Sequence, residues 1–200
     1  MYIVFEGIDG CGKDTQADML TRSFQARGIQ TLRLNEPDQD NLIGQLLRHC
    51  LQRGLYVQSH AALFLADRMA LLPEKVIPAL EAGKTVVSSR SFLSTLVYQP
   101  ENWPLDWLIC IHQQLQAKPD VVFILDLDPK IALKRLVDRS GKPEYYERED
   151  TLERVRERYL RRAEDPAVHN LLAPGGRFEV VDANGAPAEV HAEILRRLGA

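Results

Sequence analysis

Tyr2-Ile3-Val4-Phe5-Glu6-Gly7-Ile8-Asp9-Gly10-Cys11-Gly12-Lys13-Asp14-Thr15 is a strand-type run followed at once by a glycine-rich turn. Beyond it, Ala17, Leu20 and Phe24 recur at helical spacing, and Gly28 supplies a C-terminal stop, which predicts a helix over 13–27. Gly7, Gly12 and Lys13 stand at the GxxxxGK spacing of a phosphate-binding loop. The glycines let successive backbone N–H groups turn toward one anion, the helix N-terminus adds its dipole, and Lys13 adds a full positive charge. Gly7, Gly10, Cys11, Gly12, Lys13, Asp14 and Thr15 are therefore the candidate cradle for a polyphosphate. Asp14 breaks the motif, because the residue after the lysine ordinarily carries the hydroxyl that meets magnesium. A carboxylate there needs a cation between it and the phosphates, or a partner that holds it away.

Outward from this loop, short β-type runs alternate with longer helical patterns, the signature of an α/β fold with a parallel sheet. Candidate strands are 2–5, 31–34, 85–88, 121–126 and 178–181, enough for one five-stranded sheet flanked by helices. Further helices are expected at 41–53, at 58–82 with an interruption around Pro73, and at 104–116, 129–138, 151–162 and 187–198. At 200 residues, with 45% hydrophobic and 26% charged side chains, the chain can bury roughly 70% of its extended surface and reads as one globular domain over 1–200. With 25 Lys and Arg against 28 Asp and Glu, the formal charge is −3, which disfavours a duplex nucleic-acid binder. No apolar run approaches the ~18 residues of a membrane helix, and no basic leader precedes Tyr2, so neither a membrane nor secretion is expected. Cys11, Cys50 and Cys110 are odd in number and widely spaced, which fits a reduced, cytoplasmic setting.

A series of short stretches then gives the chain its likeness. Phe5 to Gly10, Lys13 and Thr15-Gln16 are followed by Glu36-Pro37, by Phe64-Leu65-Ala66-Asp67-Arg68, and by Arg90 with Leu93-Ser94-Thr95 and Tyr98-Gln99. Lys118-Pro119-Asp120, Leu125-Asp126-Leu127-Asp128-Pro129 and Tyr146-Glu147 complete the order. In sequence and spacing these resemble the thymidylate kinase family of P-loop nucleoside monophosphate kinases. The resemblance implies ATP and Mg²⁺ as cofactors, a nucleoside monophosphate as partner, a homodimer, and transfer of the γ-phosphoryl of ATP to a pyrimidine deoxynucleoside monophosphate, foremost dTMP. A same-fold kinase for a different or modified acceptor, and an inactive nucleotide-binding regulator, are the alternatives.

The resemblance also implies roles. Phe64 and Arg68, four apart on one helix face, would read the pyrimidine; Glu36, Thr95, Tyr98, Gln99 and Asp9 would border the acceptor, and Arg90 would clamp its phosphate. Arg135 would lie over adenine, with Ala183 and Asn184 closing that pocket. A lid at about 139–150 would bring Arg139, Lys142 or Arg148 to the transferring group, because the loop itself offers Gly10 where part of the family has an arginine. The chain departs from the pattern at Asp14, at Asn35 before Glu36-Pro37, at Asp38-Gln39-Asp40 and at Ser89-Arg90-Ser91. Asp14, Ser89 and Asp9 are the candidate oxygen donors for Mg²⁺. Either Asp14 and Ser89 have exchanged the carboxylate and hydroxyl, or Asp14 points outward and Asp9 serves with water.

Overall fold

Residues 2–6 form a buried apolar ribbon closed by one acid, and in the computed structural model they become the central strand, β1 (Tyr2–Glu6), with all of its side chains inside. The model describes residues 1–99, 101–140 and 149–199, the side chains at 139 and 140 excepted. β2 (Thr31–Asn35), β3 (Thr85–Ser89), β4 (Val121–Asp126) and β5 (Arg177–Asp182) pair with β1 in one all-parallel sheet of order β2-β3-β1-β4-β5. The five expected strands are all present, four of them longer by one or two residues than the sequence pattern marked. In register, Phe5 lies between Ser89 of β3 and Phe123 of β4, and the Phe5 and Phe123 rings stack with centroids 5.5 Å apart.

Parallel pairing requires a crossover after each strand, and helices fill that role. α1 (Lys13–Ala26) buries Lys13, Gln16, Ala17, Leu20, Thr21 and Phe24 along one stripe. α2 (Leu42–Arg53) begins at Asn41, whose side chain accepts the Gly44 N–H at 2.8 Å. α3 (His60–Leu71) and α4 (Ile77–Glu81) are joined by a π-helical turn, Leu72–Val76. Pro73 thus does not break the long helical segment; the missing N–H is absorbed by widening one turn.

α5 (Phe92–Tyr98) is an element that the sequence pattern does not announce. Six of its seven residues are buried, so it has no polar face and hence no amphipathic period to detect. α6 (Leu105–Gln113) stops three residues short of the expected end. α7 (Pro129–Ser140), α8 (Glu149–Ala163), a short α9 (Pro166–His169) and α10 (Pro187–Leu198) complete the described helices. The strands all point their carboxyl ends to one edge, where β1 delivers the glycine-rich turn; in open α/β sheets that edge is where ligands bind.

Candidate active site

Backbone geometry comes first. Gly7, Gly10 and Gly12 all have positive φ, at 137°, 82° and 94°. A Cβ at Gly7 would lie 2.7 Å from Leu125 O, and one at Gly10 would lie 2.7 Å from Ala132 O. Gly7 and Gly10 are thus closed to side chains by conformation and by space together, and Gly12 by conformation alone. Lys13 folds back over the loop, donating to the carbonyls of Gly7 at 3.0 Å and Ile8 at 2.9 Å. Its side chain is only 6% exposed, so its ammonium is a fixed charge within the cradle.

A cleft of about 700 Å³ opens above the loop and runs between α2, α3 and α5 on one side and α7 and α10 on the other. Its rim near the loop is organised by Arg90, which adopts φ 71° just past β3. Arg90 pairs with Asp9, donates to Ser94 Oγ at 3.0 Å and packs its guanidinium 5.4 Å from the Tyr98 ring centre. Tyr98 in turn donates to the other Asp9 oxygen at 3.2 Å. Burial works against the charge of Arg90, but Asp9 holds it protonated, with its pKa well above the ordinary value.

Beneath this cluster lies Glu6, fully buried at the end of β1. It accepts from the backbone N–H groups of Ser91 at 2.8 Å and Ser94 at 3.1 Å, and from the hydroxyls of Ser94 at 2.6 Å and Tyr159 at 2.9 Å. One carboxylate therefore ties the start of α5 to β1 and α8. In the sequence Glu6 is only part of a matching stretch; the convergence of five donors, the fifth being the Ser91 hydroxyl at 3.4 Å, is a tertiary fact.

The far wall of the cleft is built on Phe64, Glu36 and Gln99. Gln99 is 1% exposed, and neither its amide nitrogen nor its oxygen has a partner among the described residues. Glu36 Oε1 and Arg48 Nε are likewise buried without a partner. Such atoms are costly to leave dry and unmatched. Glu36 spends its other oxygen on Arg68, whose Nε donates at 2.9 Å. Burial raises the Glu36 pKa to about 7, and Arg68 offsets part of that rise. Arg68 also donates from Nη1 to His112 Nε2 at 2.8 Å. An arginine can only donate, so His112 carries its proton on Nδ1 and gives it to Leu108 O at 2.6 Å. Burial first, and then the Arg68 charge, depress the His112 pKa to about 3.

At the opposite end, Gln16, Arg135, Leu136, Ala183, Gly185, Pro187 and Val190 form a slot beside the loop. Arg135 reaches back to donate to Gly10 O at 3.4 Å. Asp14 and Ser89 line the floor next to Lys13, and Arg33 Nη2 lies 3.4 Å from the Asp14 carboxylate.

The family model for thymidylate kinase matches residues 5–194. The chain belongs to the thymidylate kinase family. A Thermococcus kodakarensis protein named "Probable thymidylate kinase" is 39% identical over 175 residues, 82% of this chain and 84% of that protein. A protein of the same name from Thermococcus onnurineus is 37% identical over 212 residues, 98% of this chain and 100% of the relative. The Methanosarcina acetivorans counterpart is 34% identical over 204 residues, 98% and 94% of the two chains.

In this thymidylate kinase family member, the fold gathers most residues that the sequence singled out: Asp9, Gly10, Cys11, Gly12, Lys13, Asp14, Thr15, Glu36, Phe64, Ser89, Arg90, Tyr98, Gln99, Arg135 and Ala183 line one cleft. Gly7, Arg68, Thr95 and Asn184 are not among the lining residues. Gly7 shapes the turn from behind, and Arg68 and Thr95 are held behind the Phe64 wall because Glu36 and His112 claim the guanidinium. Asn184 is turned to its own loop, where its oxygen accepts from Asp128 N and its nitrogen donates to Asp182. The expected lid cations Lys142 and Arg148, with Tyr146 and Glu147, lie outside the described residues, as does the side chain of Arg139.

Sequence reasoning missed Arg48, Leu51 and Gln52 of α2, which also line the cleft. The helical period of α2 alone carries no signal that this edge faces a ligand rather than solvent.

Proposed function

We propose that this chain transfers the γ-phosphoryl group of ATP to dTMP, giving dTDP and ADP. The observation that carries the acceptor half is Gln99. Its carboxamide is buried in the cleft wall beside Phe64 with both its donor and its acceptor unmet, and a pyrimidine with an N3–H next to a carbonyl matches that pair. Phe64 offers its ring for stacking on the base. Tyr98, fixed between Asp9 and Arg90, crowds the sugar side of the pocket, which favours a deoxyribose.

The rest of the mechanism follows from charge. The backbone N–H groups of the loop and Lys13 hold the ATP phosphates. Arg90 and Arg48 are the cations on the acceptor side, and both line the cleft. An acceptor phosphate oxygen attacks Pγ, the bond from Pγ to the β-bridging oxygen breaks, and ADP leaves with that electron pair. The fixed cations stabilise the charge spread over the transferring group, which supplies most of the rate in such transfers. Arg139 and Arg148 are proposed to complete this clamp from the lid. Asp14 and Ser89 would offer hard oxygen donors to Mg²⁺, which would supply charge neutralisation on the phosphates. The slot bordered by Arg135, Ala183 and Gly185 takes the adenine.

A cytoplasmic homodimer belongs to the same reading. The cysteines are all free, and no described helix is long and apolar enough to cross a membrane. Turnover is tested with purified protein, ATP, Mg²⁺ and each nucleoside monophosphate in turn, following ADP release. Activity with dTMP is expected, and Gln99→Leu should raise the KM for dTMP by about tenfold or more by leaving the base edge unmatched. ADP release with another monophosphate alone, or with none, overturns the assignment.

A further inference from the structure

Charge is spread unevenly around α8. Leu152, Val155 and Tyr159 form its buried stripe, while Arg154, Arg158, Arg161 and Arg162 share another face of the helix, with Glu157 among them. These five residues line a groove of about 260 Å³, which has no lining residue in common with the nucleotide cleft. A run of charge on a helix is ordinarily a solvated face of i,i+4 pairs. Two observations separate this groove from that case.

First, the charges do not balance. Arg154 and Arg158 share one carboxylate oxygen, Glu101 Oε1, at 3.4 and 3.1 Å; Arg161 meets Glu157 at 3.0 Å, and Arg162 lies 4.0 Å from Asp165. Four guanidiniums thus meet three carboxylates among the described residues, and of those three Glu157 alone lines the groove. Second, the inner pair is held in place. Arg158, 22% exposed, donates from Nη1 to Val97 O of α5 at 3.1 Å. Arg162, 19% exposed, has its Nε buried with no hydrogen-bond partner among the described residues, which is costly for a donor. Burial, together with the Arg158 and Arg161 charges, holds the Arg162 pKa below its ordinary value although Asp165 pulls the other way. An anion entering the groove relieves that excess of positive charge.

The lining also sets the chemistry of the ligand. No aromatic or aliphatic side chain borders the groove, so recognition falls on charge. Planar guanidiniums present paired N–H groups that match phosphate oxygens, and several of them along one groove favour a chain of phosphates over a single carboxylate. We propose that the arginine groove of α8 is a second anion site, separate from the nucleotide cleft, and that it takes a phosphate chain, either inorganic or carried by a free nucleotide. The site does not depend on the phosphoryl-transfer reading above.

The test reads the groove directly, through the arginine Nε–Hε signals of the ¹⁵N-labelled whole protein, assigned by single Arg→Lys variants. Tripolyphosphate in magnesium-free buffer should shift the Arg158 and Arg162 signals along a saturating curve. The double variant Arg154→Gln with Arg161→Gln should raise the Kd read from those signals by about tenfold or more. Arg22→Gln, which removes an exposed charge from α1, should change it by less than about twofold. ATP in place of tripolyphosphate distinguishes the sources: clearly tighter binding assigns the nucleotide, and equal or weaker binding assigns the inorganic chain. Circular dichroism of every variant checks that it is folded. Shifts that sodium chloride reproduces at the same ionic strength, an unchanged Kd in the folded double variant, or equal weakening by Arg22→Gln overturns the site.

Discussion

Arg90, Gln99 and His112 show how single side chains are set by neighbours that are remote in sequence. Arg90 sits in the left-handed region, which costs a non-glycine residue on the order of 1 kcal/mol. Asp9, Ser94 and the Tyr98 ring hold it there. His112 is held neutral while its unfolded counterpart titrates near 6.5. Between that value and about 3 the unfolded chain binds the extra proton, so the contribution is complete above pH 6.5 and is lost as pH falls, at about 1.4 kcal/mol per unit. Glu36, raised to about 7, acts in the opposite sense, because the native state binds the extra proton and stability falls as pH rises from 4.5 to 7. His112→Gln keeps an acceptor for Arg68 and leaves Glu36 in place. In urea titrations, the stability advantage of the unaltered protein over His112→Gln should shrink by roughly 2 kcal/mol between pH 7 and pH 5. An advantage that stays constant would falsify the neutral-histidine assignment.

At the scale of elements, α5 is the hinge of the site. It carries Ser94, Tyr98 and, just beyond its end, Gln99, so its position relative to β1 sets the distance between the loop and the Phe64 wall. Glu6 fixes that position by accepting from both α5 and Tyr159 of α8. Glu6→Ala strands several buried donors at once, and a loss of about 3 kcal/mol or more in unfolding free energy is expected, against about 1 kcal/mol for Tyr159→Phe. Both variants should lose turnover more than ATP-analogue affinity, since Lys13 is held by the Gly7 and Ile8 carbonyls rather than by α5. Equal stability losses in the two variants would count against Glu6 as the common anchor. None of this was legible in the sequence. Residues 92–98 lack an amphipathic period, and Glu6 reads as the polar end of a strand. Helices with a clear stripe, such as α1 and α10, were legible to within a residue at each end.

For the whole molecule, α2 packs on α3 and leaves Leu42 82%, Leu46 50% and Met69 60% exposed. Large apolar side chains left in water along a helix pair mark a surface that another chain can cover, and a second copy is the occupant proposed here. Leu46→Glu should convert a dimer to a monomer in light scattering at micromolar concentration. A monomeric unaltered protein, or an unshifted variant, removes this face from the assembly. The sequence by itself determined the strand, glycine turn and helix at the N-terminus, the alternation that makes a parallel sheet, and the residues that make up most of the cleft. Those are local signals, written in backbone tolerance, period and charge within a few positions. Tertiary structure alone decided that Arg68 stands behind the Phe64 wall, that Arg48 faces the cleft and that Gln99 has both polar atoms unmet among the described residues. It also decided that Arg33 lies beside Asp14 while Asp9 is held by Arg90 and Tyr98. Each depends on which side chains from distant segments meet, and a hydrogen bond or a desolvated charge is settled only by that meeting.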